Sequence, residues 1–363
     1  MKRLTRREFL MLLSKSAGAA AIMQFLNACG ISPQPQPETP TNTPFSPIRP
    51  ELTRAASIAD AALPTGTSLP SDTPSPTDIP ATDTPAALSD SAYLAVARGG
   101  DDPEALVRRA VDAIGGMGRF VPQGANVLIK PNICTAPIKS YESAATTNPL
   151  VVGALVKMCL EAGAARVRVY DFPFGAPSKQ AYSASGIAEQ VRAAGGELEY
   201  VDTSKFIPTD LPNGLSLHSA SLYSEVINAE VVINVPIAKT HSTTGLTLGM
   251  KNMMGVVLNR KAIHDDIHPR IADLAGFIRL ELTVIDAVRI LIANGPVSAS
   301  LNDVRKIDTV IASADIVAAD AYATRLFGWS DPNRLGYVRI GAEIGLGRSD
   351  LENLKIEEIS LGV

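Results

Sequence analysis

Val231-Val232-Ile233-Asn234-Val235-Pro236 is a run of β-branched residues, interrupted by one asparagine and stopped by a proline. A strand with one face in water alternates apolar and polar side chains. A run that stays apolar is that of a parallel strand covered on both faces. Outward from it, Asn126–Lys130, Arg166–Tyr170, Glu197–Val201, Leu282–Ile285 and Thr309–Ala312 also read as strands. Tyr93–Arg98 and Lys355–Ile359 are short ones near the ends. Between them lie helical segments: Pro103–Met117 and Pro149–Ala164, each opened by proline, then Gly186–Ala194, Ile316–Leu326 and Tyr337–Ile344. Strands separated by helical crossovers predict an α/β fold, a mostly parallel sheet with helices on both faces.

This pattern occupies residues 91–363 of the 363-residue chain. Of the 26 prolines, 13 fall between Ile31 and Asp90, among Thr-Pro and Ser-Pro pairs that bury little. Residues 30–90 are therefore expected to be a disordered Pro/Thr/Ser-rich tether. Residues 1–29 carry Lys2, Arg3, Arg6 and Arg7, then the short uncharged stretch Ser16–Ala28. Thr5-Arg6-Arg7-Glu8-Phe9-Leu10 resembles a twin-arginine export signal, and Leu26-Asn27-Ala28-Cys29-Gly30 resembles a lipobox. These resemblances imply the twin-arginine export machinery as a partner and lipidation at Cys29. They place the protein outside the cytoplasm, held on the cell membrane by its lipid. Because that export route carries folded proteins, a cofactor loaded inside the cell is compatible with it. A net charge of −4 gives no basic balance for nucleic acid, and three cysteines exclude a disulfide-stapled scaffold.

In a doubly wound fold, chemistry collects at the carboxyl ends of the strands. The residues there are Lys130-Pro131-Asn132, Asp171, Asn234 leading into Lys239-Thr240-His241, Lys251-Asn252, Asp286, and Asp315 with Asp320. Lysines and asparagines beside helix starts suit anionic oxygens, and histidine with aspartate suits proton transfer or a metal. In the segment Lys239–Gly255, the hydroxyls of Thr240, Ser242, Thr243 and Thr244 are expected to cap a helix. His264 and His268 would share a helix face, but Pro269 disfavours helix at His268, so a polar loop before Arg270 is expected. Cys159 lies on an apolar helix face. Cys134, two residues past Asn132, is either a half-buried loop thiol or a nucleophile or soft ligand beside Lys130. A Cys134–Cys159 disulfide is a further option.

Seven short motifs occur in order: Ile129-Lys130-Pro131-Asn132, Thr147-Asn148-Pro149, Ile233-Asn234-Val235-Pro236, Lys239-Thr240-His241, Thr247 with Lys251-Asn252-x-x-Gly255, Ile285-Asp286, and Ala314-Asp315 with Ala318-Ala319-Asp320. His268 falls between the fifth and the sixth. From Tyr93 to the C-terminus the chain resembles the domain of unknown function 362 family (DUF 362). The family's members are often described as iron–sulfur proteins, because many carry ferredoxin-like cysteine clusters. This chain has only Cys134 and Cys159 beyond Cys29, so a four-cysteine cluster is not expected here. The Lys239–Gly255 stretch is also distantly similar to a Gly- and Lys-containing stretch of lactate racemases, which implies small hydroxy or carboxylic acids.

On these positions, the catalytic candidates are Lys130, Lys239, His241 and Lys251. The substrate-binding candidates are Asn132, Thr147, Asn234 and Asn252. The metal-ligand candidates are Asp171, His268, Asp286 and Asp320, for a divalent ion; the cofactor itself is not named by the sequence. Two classes of function stay open. One is an enzyme acting on a small carboxylate or phosphate, with His241 or His268 as acid and base. The other is a non-catalytic lipoprotein or redox-partner subunit that binds an anion or a cofactor.

Overall fold

The structure, a computed structural model, describes residues 91–134, 140–297 and 300–362. The export signal with Arg6 and Arg7, the Cys29 lipid site and the tether lie outside the described residues.

The strands are β1 (Leu94–Arg98), β2 (Asn126–Pro131), β3 (Arg166–Tyr170), β4 (Glu197–Glu199), β5 (Phe206–Asp210), β6 (Ser219–Tyr223), β7 (Val231–Val235), β8 (Ile237–His241), β9 (Gly245–Thr247), β10 (Leu282–Leu291), β11 (Val304–Ser313) and β12 (Ile356–Ser360). The helices are α1 (Pro103–Ala113), α2 (Pro149–Glu161), α3 (Ser178–Ala184), α4 (Ile187–Ala193), α5 (Ser224–Ile227), α6 (Gly249–Asn252), α7 (Arg260–His264), α8 (Ile267–Phe277), α9 (Ile316–Ala323) and α10 (Gly336–Glu343). Among the described residues no helix is long and apolar enough to cross a membrane.

The main sheet runs β12-β1-β11-β10-β7-β2-β3-β4. The β4, β3, β2, β7 and β10 strands pair parallel, and β11 pairs antiparallel with both β10 and β1. The sheet is thus mostly parallel, as the unbroken β-branched runs predict. Side chains alternate between two cores. Val127 and Ile129 of β2 with Val231 and Ile233 of β7 pack in the core that takes in α1, α2 and α4. Leu128, Val232 and Ile285 face the other, filled by α8, α9 and α10.

From β2 the chain moves outward one way, to β3 and β4; from β7 it moves the other way, to β10. The point between β2 and β7 is where strand order reverses, and such points open a crevice at the carboxyl ends. The ten-residue β10 passes beyond the end of β7. Its start pairs with β7 at Leu282 and Thr283, and its continuation carries β8 at Asp286 and Leu291. A hairpin of β8 and β9 hangs there, over the crevice.

Candidate functional site

Side chains from β2, β3, β7 and α6 build the floor of the crevice. Lys130, in register with Asn234 of β7, is fully buried. Its Nζ donates to Asp171 Oδ1 at 2.7 Å, to the Pro131 carbonyl at 3.1 Å and to Asn252 Oδ1 at 3.3 Å. Burial pushes this ammonium group down and Asp171 pushes it back up. Three acceptors, one a carboxylate, match all three donors of the charged form. Asp171 Oδ2 meanwhile accepts the Ile133 amide at 2.6 Å. Lys130 and Asp171 are thus a strut with no hydrogen-bonding capacity left over at the lysine. The catalytic candidate Lys130 and the metal-ligand candidate Asp171 are thus bonded to each other.

Asn252 is the hub. Its Nδ2 donates to Asn234 Oδ1 at 2.8 Å and to the Lys130 carbonyl at 3.2 Å, while Oδ1 accepts from Asn132 Nδ2 at 3.0 Å. Asn234 Nδ2 holds the Gly249 carbonyl at 3.0 Å, so it orients the helix that carries Asn252. That helix is capped by Asp320, which accepts the Gly249 and Met250 amides at 2.6 and 2.9 Å, and not by the hydroxyls after Lys239. Lys239–His241 is strand, because β10 offers it an edge. Two glycines let the turn pass close to the floor. A Cβ at Gly255 would sit 2.4 Å from Asp171 Oδ1, and one at Gly249 2.8 Å from Asp320 Oδ1.

The other expected ligands also have structural duties. Asp286 accepts the Asn148 and Val288 amides at 2.7 and 3.0 Å. Burial pushes its carboxyl up to about 6 and that of Asp320 up to about 7, against the pull of these amides. Thr147 Oγ1 accepts the Asn132 amide and donates to the Val235 carbonyl. His268 is the second residue of α8 and not part of the expected loop, with Pro269 tolerated in the first turn, and it packs on Tyr337 at 6.0 Å between ring centroids. Among the described residues no group of three or more His, Cys, Asp or Glu is arranged to hold a metal ion. Asp171, His268, Asp286 and Asp320 therefore do not converge on one centre.

Above the floor is a cleft of about 100 Å³. Lys239, His241 and Thr247 line it from the hairpin, Lys251 from α6, Arg260 and His264 from α7, and Cys134, Phe172 and Phe174 from the loops after β2 and β3. Lys239 Nζ donates to Asn132 Oδ1 at 2.9 Å and to the Ala145 carbonyl at 2.7 Å. Arg260 lies over the Phe172 ring, 4.2 Å from its centroid, and donates to the Phe172 carbonyl, while its buried Nε–H has no partner. The Oγ1 of Thr247, 5% exposed, has none either. Asp171 is the one carboxylate among the lining residues, and the strut and the Ile133 amide already occupy it. Among the described residues that line it, the cleft therefore presents positive charge and hydrogen-bond donors and no second carboxylate.

Its two histidines hold opposite tautomers. His241 Nδ1 accepts the Thr243 and Thr244 amides at 3.1 and 3.4 Å, which leaves the proton on Nε2. His264 Nδ1 lies 2.9 Å from the Arg260 carbonyl and must donate to it, which leaves a lone pair on Nε2. Burial, then Lys251 and Lys239, hold the His241 imidazole down to about 2; burial also lowers His264. Both rings are therefore neutral at pH 7. Arg260 is not singled out by the sequence; of the two histidines weighed there, His264 lines the cleft and His268 does not. Cys134 and Cys159 are free thiols, so they form no disulfide; burial pushes Cys159 up to about 12.

A family model described as "Domain of unknown function (DUF362)" matches residues 127–325, which holds every residue of this cleft. The chain belongs to the DUF362 family. The thylakoid-associated protein sll1697 of Synechocystis is 27% identical over 263 residues, which is 68% of this chain and 77% of that one. Among solved structures, the lactate racemase apoprotein of Thermoanaerobacterium thermosaccharolyticum aligns with a TM-score of 0.43 at 14% identity, over 65% of this chain. A Thermotoga maritima protein aligns with a TM-score of 0.36 at 10% identity, over 68%. The chain spans 56% and 60% of those two chains.

Proposed function

We propose that this DUF362 cleft binds a small molecule bearing a carboxylate or phosphate and moves a proton on it. The observation that carries the reading is the donor surplus: Arg260 Nε–H and Thr247 Oγ1 are buried without a partner in a cleft whose one carboxylate is already bound, and Lys239 and Lys251 line the same space. Burying a guanidinium N–H without a partner is costly, and an anionic ligand relieves that cost. Within such a complex, His264 Nε2 accepts a proton and His241 Nε2–H donates a hydrogen bond to the oxygen that gains charge. Their tautomers supply both roles at neutral pH. We further propose that the domain works outside the cytoplasm, exported through the twin-arginine route and held by a lipid on Cys29; mass analysis of the membrane fraction, with Cys29→Ser as control, tests this.

The direct test is ligand binding by the purified protein. Phosphate, lactate and malonate are expected to raise its melting temperature where equal ionic strength of chloride does not. Lys251→Met is expected to weaken that binding by about 10–100-fold, the size of one lost charge-assisted hydrogen bond of about 1.5–3 kcal/mol. No thermal shift with any of these anions would sink the reading. A shift without proton exchange at the α-carbon of the bound acid would leave a binding protein and no enzyme.

A further inference from the structure

The Cys134 thiol is held in the cleft by its own backbone neighbours. The Phe174 amide donates to the Cys134 carbonyl at 3.2 Å, and the preceding Ile133 amide is pinned on Asp171. The lysine that lines the cleft with it is Lys239, whose ammonium form it favours, and not Lys130 as the sequence suggests. Lys239 already donates to two acceptors, Asn132 Oδ1 and the Ala145 carbonyl. In the neutral form the amine has two N–H donors, both used by these acceptors, and one lone pair remaining. As a neutral amine it offers a lone pair there; after taking the thiol proton it becomes an ammonium beside a thiolate. Burial favours the neutral amine before that transfer, and the thiolate favours the ammonium after it. The other titratable groups near this pair are Arg260, Asp171, Lys130 and the His241 ring. The unpartnered Thr247 Oγ1 and Arg260 Nε lie on the same cleft and point independently to a polar ligand there.

We infer that Cys134 is a nucleophile for small carboxylates that carry an electrophilic carbon, with Lys239 as its proton acceptor. The inference rests on the anion reading above, since the carboxylate is what the donor surplus would seat. For an α,β-unsaturated acid, sulfur bonds to the β-carbon and the π pair moves to the α-carbon. The thiol proton passes through Lys239 to that carbon. The step is a net addition of S–H across C=C, with no oxidant or reductant.

Iodoacetate and iodoacetamide share one electrophilic carbon and differ in charge, so they serve as probes on the unmodified full chain. Peptide mapping assigns the label among Cys29, Cys134 and Cys159. A cationic cleft raises local anion concentration by about 10–10³-fold, so at pH 7 iodoacetate should alkylate Cys134 at least about tenfold faster than iodoacetamide. Lys251→Met should erase that preference, and Lys239→Met should slow both reagents at Cys134. Buried Cys159 should stay unlabelled throughout. Slow labelling of Cys134 by both reagents, with the anion-induced thermal shift intact, would overturn the nucleophile alone. Equal rapid labelling by both, with no thermal shift, would overturn the anion reading and this inference with it.

Discussion

The floor and the walls of the cleft are made of the same residue types and differ in how fully they are spent. On the floor, Lys130 has three acceptors for three donors, Asn252 bonds through both ends of its amide, and Asp320 takes two backbone amides. On the walls, Arg260 Nε and Thr247 Oγ1 have no partner, and the two imidazoles that line the space are opposite tautomers. A buried polar network that is complete stiffens a fold, and one with capacity left over is available to a ligand. Two buried lysines thus differ in role: Lys130 is held by a carboxylate, Lys239 by an amide oxygen and a carbonyl.

If that division holds, substitutions on the floor move stability and substitutions on the walls move binding. The largest effect is expected for Lys130→Met, which strands Asp171 in the interior and should cost about 3–5 kcal/mol in urea unfolding. Adding Asp171→Leu should recover more than half of it. Next is pH. The folded Asp320 and Asp286 carboxyls lie above their unfolded values, so the native protein binds more protons between about pH 4 and pH 7. Stability should therefore fall as pH rises through that window, by on the order of a few kcal/mol, and Asp320→Asn should flatten the slope. Unfolding curves at pH 5 and pH 8 read both. Gly255→Ala should cost about 1–3 kcal/mol, since its Cβ would press on the strut at 2.4 Å from Asp171 Oδ1 and 2.6 Å from Lys130 Nζ. Smallest on stability is Lys251→Met, under about 1 kcal/mol without ligand. A large loss there would place Lys251 with the floor.

What the sequence shows of this site follows the strands. Val231–Val235, Asn126–Lys130 and Arg166–Tyr170 are visible because covered parallel strands need unbroken or alternating β-branched residues. Their ends therefore locate Asn132, Asp171 and Asn234 correctly. The β8–β9 hairpin is not visible: Lys239-Thr240-His241 has no strand period, and it is extended only because β10, some forty residues later in the chain, offers it an edge. Arg260 and His264 sit on a five-residue polar helix that looks like loop, though their spacing of four would have put both on one face. The choice of His268 came from motif position, which says nothing about which way α8 turns it. The aspartates were read as ligands because burial and amide partners leave no mark in one sequence.

The long β10 strand also orders the assembly of the molecule in time. β7 can dock on β2 as soon as both exist, but among the described strands β8 pairs only with β9 and with a strand that the ribosome has not yet made. Lys239, His241 and Thr247 thus wait for Asp286–Leu291 before they have a wall to stand in. The scaffold comes first and the reactive surface closes late, over contacts of long sequence separation that fold slowly. Pulsed hydrogen exchange should find the β8 amides protected after those of β2 and β7. A chain that met its ligand before β10 was in place would offer it a floor with no walls.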